Sequence, residues 1–307
     1  MSILVFGHKN PDTDTICSAI AYAELKGKLG KDVKAVRLGE VNEETKFVLD
    51  YFKVEKPELI ESVSGKEIML VDHNERTQTA DGFEEAKVLE LVDHHRISNF
   101  NVDEPLYVRM EPVGCTATII LKLFKENNLL PSPTTAGLML SAIVSDTLLF
   151  KSPTCTGCDV KAGKELAEIA GVNVEEYGLE MLKAGTALGG KSESELINMD
   201  MKIFEVDGSK IGVAQVNTVN EAELLERKEK LLVEIDNIIN KEGLKFFIFA
   251  ITNILSNDST GIVAGDGNAV IEKAFNEKID NNLIALKGVV SRKKQIIPPL
   301  TKAIQEA

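Results

Sequence analysis

Short apolar runs alternate with helical patterns through the first half of the chain, and this alternation restricts the possible folds more than any other feature. Strands separated by helices pair in parallel, because each helix is the crossover that returns the chain to the same edge direction. Ile3–Phe6 reads as a buried strand, 19–29 as a helix ending near Gly30, and 33–38 as a second strand. Further strands are expected over 68–71, 88–92 and 106–110, with helices over 43–52, 117–127 and 136–149, and 156–187 wholly helical. The fold class is therefore α/β, with an N-terminal domain (1–187) whose mostly parallel sheet is flanked by helices.

Adjacent glycines in Ala187-Leu188-Gly189-Gly190-Lys191-Ser192 then mark a hinge over 188–192. Beyond it the pattern changes. Runs over 202–206 and 211–216 flank Asp207-Gly208-Ser209, a hairpin signal. A charged amphipathic helix follows over 221–240, then apolar strands over 246–254 and 260–263. Residues 193–307 thus form a smaller C-terminal α/β domain with a mixed sheet. The 307-residue length agrees with about two domains.

The chain has four histidines, His8, His73, His94 and His95, and each follows an expected strand by a few residues at most. The first strand delivers Gly7-His8-Lys9-Asn10-Pro11-Asp12-Thr13-Asp14, the third Asp72-His73-Asn74-Glu75, and the fourth Asp93-His94-His95. Ligands of open α/β sheets bind outside the carboxyl ends of the strands. A single His there is more often a satisfied polar residue, and a single Asp a helix cap. Several carboxylates crowded together, however, resist ionisation unless a cation joins them, and all four histidines fall in the same cluster. Asp146 adds an acid near the end of a largely apolar helix, where it is costly unless paired or coordinated. Carboxylate oxygen with some imidazole nitrogen suits Mn, Co or Fe, and also admits Mg and Zn; thiolates, the mark of structural zinc, are absent from the motifs. The donors suffice for two ions, which at about 3.5–4 Å apart would clamp a phosphate and generate a bridging hydroxide.

These motifs resemble the DHH phosphoesterase superfamily, through Asp93-His94-His95 and the upstream His8, Asp12 and Asp14. Asp72-His73-Asn74-Glu75, Ser145-Asp146-Thr147 and Ser291-Arg292-Lys293-Lys294-Gln295 narrow the resemblance to the family II, manganese-dependent inorganic pyrophosphatases. It covers essentially the whole chain. It implies that His8, Asp12 and Asp72 hold one metal ion, that Asp14, Asp72, His94 and Asp146 hold the other, and that Asp72 bridges. It further implies His95 and Asp14 as catalytic groups, with His95 meeting the substrate as a proton donor. Lys202, Arg292 and Lys293 would bind the phosphates, and His73 and Asp93 would orient ligands. The implied cofactors are two Mn2+, with Co2+ as an alternative and Mg2+ accompanying the substrate. The implied reaction is hydrolysis of pyrophosphate in an interdomain cleft by a cytoplasmic homodimer.

Composition sets limits on rivals. A net charge of -13 is wrong for a phosphate-backbone binder, so no nucleic-acid partner is expected. Four cysteines are too few for a disulfide framework, and Cys155-x-x-Cys158 lacks a second Cys/His pair at ligand spacing. The N-terminus lacks the pattern of a signal peptide and no run is long enough to span a bilayer, so no membrane association is expected. A DHH phosphodiesterase acting on short oligonucleotides or cyclic dinucleotides is the main alternative. With no His after His95, no Trp and four Tyr, the chain lacks the second-domain His motif and the stacking groups such an enzyme would use. A metal-binding regulator without catalysis would not need the basic set near the C-terminus.

Overall fold

The computed structural model describes residues 2–186, 188 and 190–306; Met1, Ala187, Gly189 and Ala307, and with them part of the expected hinge, lie outside the described residues. The chain divides into two units, Met1–Gly185 and Thr186–Ala307.

The first unit is built on six strands: β1 (Ile3–Phe6), β2 (Val33–Arg37), β3 (Glu58–Leu59), β4 (Glu67–Val71), β5 (Lys87–Asp93) and β6 (Tyr107–Met110). They lie in the order β3-β2-β1-β4-β5-β6, and every pairing is parallel. The order reverses direction between β1 and β4, which opens a crevice at their carboxyl ends. Six helices accompany the sheet: α1 (Thr13–Lys28), α2 (Glu43–Tyr51), α3 (Thr116–Glu126), α4 (Pro133–Thr147), α5 (Gly157–Ala170) and α6 (Val174–Gly185). Of these, α1 packs on β1, β2 and β4, α3 packs on β5, and α4 covers α1. The other face of the sheet buries Phe6, Ile68, Leu70 and Leu91 against loop residues such as Val63, Ala80 and Phe83.

Two helices differ from their sequence pattern. The stretch expected as one helix over 156–187 is two, because Gly171 takes a left-handed conformation (φ 70°) that caps α5. The helix expected from Ala19 starts at Thr13: Asp12 caps it, accepting Thr15 N–H at 2.9 Å, so the polar residues Thr13, Asp14 and Thr15 form a buried first turn.

The second unit adds α7 (Glu193–Asn198), β7 (Met201–Val206), β8 (Ser209–Thr218), α8 (Glu221–Leu225), α9 (Lys228–Glu242), β9 (Phe246–Asn253), β10 (Asp258–Gly265), α10 (Asn268–Phe275), β11 (Leu283–Leu286) and α11 (Ile297–Gln305). The helix expected over 221–240 is thus divided between α8 and α9. The strand order is β11-β10-β9-β8-β7, with β8 and β9 parallel and the other pairs antiparallel, a mixed sheet. Both central residues of the β7–β8 turn, Asp207 and Gly208, have positive φ, as a two-residue hairpin of this twist requires. In β9, Phe247, Phe249 and Ile251 enter one core with Leu231 and Ile235, while Phe246 and Ile248 enter the other with Leu300 and Ile304. A strand buried on both faces reads as the continuous apolar run seen here. Leu188, within the segment read as a hinge, is buried in the first of these cores, and Arg227 bonds the carbonyls of Leu188 and Lys191. No helix among the described residues is long and apolar enough to cross a membrane.

Candidate metal centre

The carboxyl ends of β1, β4 and β5 deliver their polar residues to the crevice together with the first turn of α1 and the last turn of α4. Gly7 lets the chain leaving β1 pass under α1; a Cβ there would lie 2.6 Å from Thr15 Cγ2. His8 follows. Asp12 uses Oδ1 to cap α1, which leaves Oδ2 facing His8 Nε2 at 3.3 Å. Asp14, fully buried, accepts Ser18 Oγ–H at 2.5 Å and the Thr116 backbone N–H at 2.8 Å, so α3 begins against it. Asp72 follows β4 in a left-handed conformation, φ 59°, which few residues other than glycine adopt.

Asp72 occupies the middle of the cluster. Its Oδ2 lies 3.5 Å from His8 Nε2 and accepts Thr15 Oγ1–H at 2.7 Å. Its Oδ1 lies 3.4 Å from His94 Nε2 and 3.7 Å from His95 Nδ1, and accepts Thr116 Oγ1–H at 3.2 Å. His94 Nε2 also stands 4.0 Å from Asp14 and 3.8 Å from Asp146. The His94 ring donates Nδ1–H to the Val113 carbonyl at 3.1 Å, which turns Nε2 toward the acids.

The electrostatics follow from this crowding. Burial, then the charge of Asp14, push Asp72 up to about 7, and burial and the same neighbours raise Asp146 well above the usual carboxylate range. Burial would lower His94, but its bond to Asp72 and the charge of Asp14 win and raise it to about 9. Burial opposes the Asp12 carboxylate too, yet the bonds from His8 and Thr15 hold it below the ordinary value. These acids can be charged together only when cations share the site.

The donor set fits such cations. Ligand atoms of His8, Asp12 and Asp72 lie within 4.8 Å of one another, as do those of Asp72, His94 and His95, and those of Asp14, Cys115 and Asp146. Nitrogen and oxygen donors about 2.1 Å from a common ion sit about 3–3.5 Å apart, close to the spacings seen here. Cys115, absent from the sequence motifs, stands beside Asp14 and Asp146. With no cation bound, burial and the charges of these acids push its thiol well above the ordinary value. Thr15 and Thr116, which hold Asp72, also went unread; a threonine in the first turn of a helix carries no distinguishing signal.

Of the two motif residues expected to orient ligands, Asp93 bonds His95, whereas the hydrogen bond of His73 goes to the Val71 carbonyl. Asp93 is fully buried and accepts His95 Nδ1–H at 2.9 Å and Asn74 Nδ2–H at 2.6 Å. His95 is half exposed, with Nε2 left free for a ligand. His73 is buried, donates Nδ1–H to the Val71 carbonyl at 3.0 Å, and has no partner for Nε2.

The expected phosphate-binding residues lie in the second unit. Arg292 opens a turn of π-helix, Arg292–Ile296. It is buried, pairs with Asp200 Oδ1 at 2.8 Å, and its backbone N–H is held by Gln215 Oε1 at 2.9 Å. Strand alternation puts Lys202 on the same sheet face as Phe204, the face that packs against Ile296 and Leu300. Lys202 and Lys293 are exposed.

Similar proteins share this plan. Residues 2–143 match the DHH family, N-terminal domain, and residues 179–303 match the DHHA2 domain. A protein of Exiguobacterium sp. assigned as a manganese-dependent inorganic pyrophosphatase is 59% identical over 304 residues, 98% of each chain. A Bacillus cereus protein with the same assignment is 55% identical over 305 residues, 99% of each chain. Among solved structures, a Methanococcus jannaschii protein assigned to the family II inorganic pyrophosphatases superimposes with a TM-score of 0.64 at 43% identity, covering 99% of this chain and 100% of its own.

Proposed function

This chain belongs to the manganese-dependent, family II inorganic pyrophosphatases, and from that membership we propose that it hydrolyses inorganic pyrophosphate to two orthophosphates at a two-ion centre bridged by Asp72. The observation that carries this reading is the division of Asp72, one oxygen toward His8 and the other toward His94. A carboxylate turned both ways can serve two ions.

In this reading His8, Asp12 and Asp72 hold one Mn2+, and Asp14, Asp72, His94 and Asp146 hold the second, with Co2+ able to replace manganese. Manganese bound there supplies Lewis acidity toward phosphoryl oxygens and lowers the pKa of water. The chain's own groups do the rest. Thr15 and Thr116 fix the orientation of Asp72, and the Val113 carbonyl that of His94. His95, oriented by Asp93, presents Nε2 to the substrate and gives a proton to the departing phosphate. Lys202, Arg292 and Lys293 neutralise the charge of pyrophosphate, which arrives with Mg2+; Arg offers phosphate a planar fork and Lys a point charge. The domain limits 1–187 and 193–307, a cytoplasmic location and a homodimeric state complete the proposal.

The decisive experiment strips the protein with a chelator, restores Mn2+, Co2+ or Zn2+, and follows phosphate release from pyrophosphate beside nucleotides, a short oligonucleotide and a cyclic dinucleotide. Turnover of pyrophosphate, restored better by Mn2+ or Co2+ than by Zn2+, is expected. Cleavage of the phosphodiesters alone would transfer the chain to the phosphodiesterase alternative, and full activity after verified metal removal would end the two-ion reading.

A further inference from the structure

Asp14 and Asp146 are far apart in the sequence, one in the first turn of α1 and the other in the last turn of α4. Their carboxylate oxygens nevertheless lie within 4.8 Å of each other. Something must hold the two helix ends at a fixed spacing. Glu44 stands where this is done. It is the second residue of α2, which Asn42 starts by accepting the Thr45 N–H at 2.8 Å. Oε1 of Glu44 accepts Thr13 Oγ1–H at 2.7 Å and also Ser145 Oγ–H. Thr13 and Ser145 are the residues immediately before Asp14 and Asp146. Thr13 is further tied to Thr45 Oγ1 at 3.1 Å. From the far side the end of α6 closes on the same side chain: a Cβ on Gly185 would lie 2.8 Å from both Cβ and Oε2 of Glu44.

We propose that Glu44 is a positioning residue of the metal centre, a clip between Thr13 and Ser145 that sets the separation of the Asp14 and Asp146 carboxylates. The proposal rests on the reading that those two acids hold the same ion. The molecule contains its own control. At the other end of the α1–α4 pair, Glu24 accepts the Ser132 backbone N–H at 2.8 Å, Ser132 Oγ–H at 2.8 Å, and Thr135 Oγ1–H. Both glutamates therefore tie the same two helices, and the stretch of α1 from Thr13 to Glu24, about 16 Å along the helix axis, separates the ties. Only the Glu44 end carries site residues.

The test is titration of the metal-stripped full chain with Mn2+, free ion being read by electron paramagnetic resonance, alongside thermal melts. Wild type should take two equivalents. Glu44→Ala should weaken one of them by about 10–100-fold, the usual cost of removing an outer partner of a metal ligand, and leave the other in place. Glu44→Gln keeps a carbonyl acceptor for both hydroxyls and should restore most of the affinity. Glu24→Ala should lower Tm and leave both equivalents unchanged. Ser145→Ala, which deletes a single bond, should weaken the same equivalent by a smaller factor and covers the case in which Glu44→Ala does not fold. Wild-type affinity for both ions in Glu44→Ala, or in Ser145→Ala where Glu44→Ala is unfolded, overturns the clip, as does equal weakening in Glu24→Ala. Fewer than two equivalents in the wild type would overturn the two-ion reading itself, and the clip with it.

Discussion

Nδ1 of His95 lies 2.9 Å from Oδ1 of Asp93, and the same oxygen accepts the His95 backbone N–H at 3.0 Å. This bond raises His95 above its ordinary value, against the pull of burial and of neighbouring His94. The protonated ring therefore persists to higher pH than a free imidazole. With His95 as the proton donor, activity needs that protonated form. Asp93→Asn removes the charge that holds the proton, so the alkaline limb of kcat/KM should move to lower pH, and activity at high pH should suffer more than activity near pH 6. His95→Gln removes the donor and should lower kcat by about 10²-fold or more. An alkaline limb that stays in place in Asp93→Asn would separate the His95 proton from the reaction.

Asp72→Asn leaves a neutral group where both ions are proposed to meet. Activity should fall by about 10³-fold or more, since several kcal/mol of charge stabilisation are at stake. Bound manganese, measured by elemental analysis, should fall with it. Glu75→Gln, three residues on, disturbs a carboxylate whose bond is to Thr77 Oγ1 at 3.1 Å, and should stay close to wild type. Unchanged metal stoichiometry in Asp72→Asn would remove Asp72 from the ligand set.

Lys293 is exposed and makes no ion pair among the described residues, so Lys293→Ala should raise the pyrophosphate KM by about 10-fold or more without changing stability. Arg292→Ala should raise KM too, but it also strips Asp200 of its partner and empties a buried position, which should lower Tm. Metal content should be intact in both. Steady-state kinetics with calorimetry separates the two effects; wild-type KM in both variants would return this turn to a merely structural role.

The middle of the first sheet was legible because β1, β4 and β5 are largely buried apolar runs, and the convergence of His8, Asp72 and His94 follows from where such strands end; the edge strand β3, two exposed residues with no apolar run, was not. The start of α1 was not legible: Thr13-Asp14-Thr15 is polar yet buried, and helical periodicity counts polar residues as outside. Asp146 stood out as an acid in an apolar helix. The turn after it did not, since Leu148, Leu149 and Phe150 all take positive φ, a conformation nothing in their side chains announces. Their seating depends on distant glycines: a Cβ on Gly178 would lie 2.4 Å from Leu149 Cδ1, and one on Gly163 2.6 Å from Phe150 Cζ. Glu44 looked like any acid in the first turn of a helix, a position favoured by the helix dipole alone.

His73 gives a pH dependence of stability. Burial lowers its value to about 4, from 6.5 in an open chain. Below about pH 6.5 the unfolded chain takes up a proton that the folded protein refuses, so stability falls as pH drops toward 4 and is insensitive to this group above 7. Between pH 7 and pH 5 the loss should be about 2 kcal/mol. Urea melts of the metal-stripped protein at both values would measure it. His73→Asn should flatten the difference; an equal slope in that variant would assign it to other groups.

The position of β1 in the middle of its sheet has a consequence for synthesis. On the ribosome this strand emerges before both of its partners, β2 and β4. His8 and Asp12 therefore wait, solvated and apart, until β4 brings Asp72, and longer until α4 brings Asp146. Contacts between such distant segments form late and together, as a unit completes. With the proposed ligands, the nascent chain would thus offer passing ions no finished chelate until the first unit is complete.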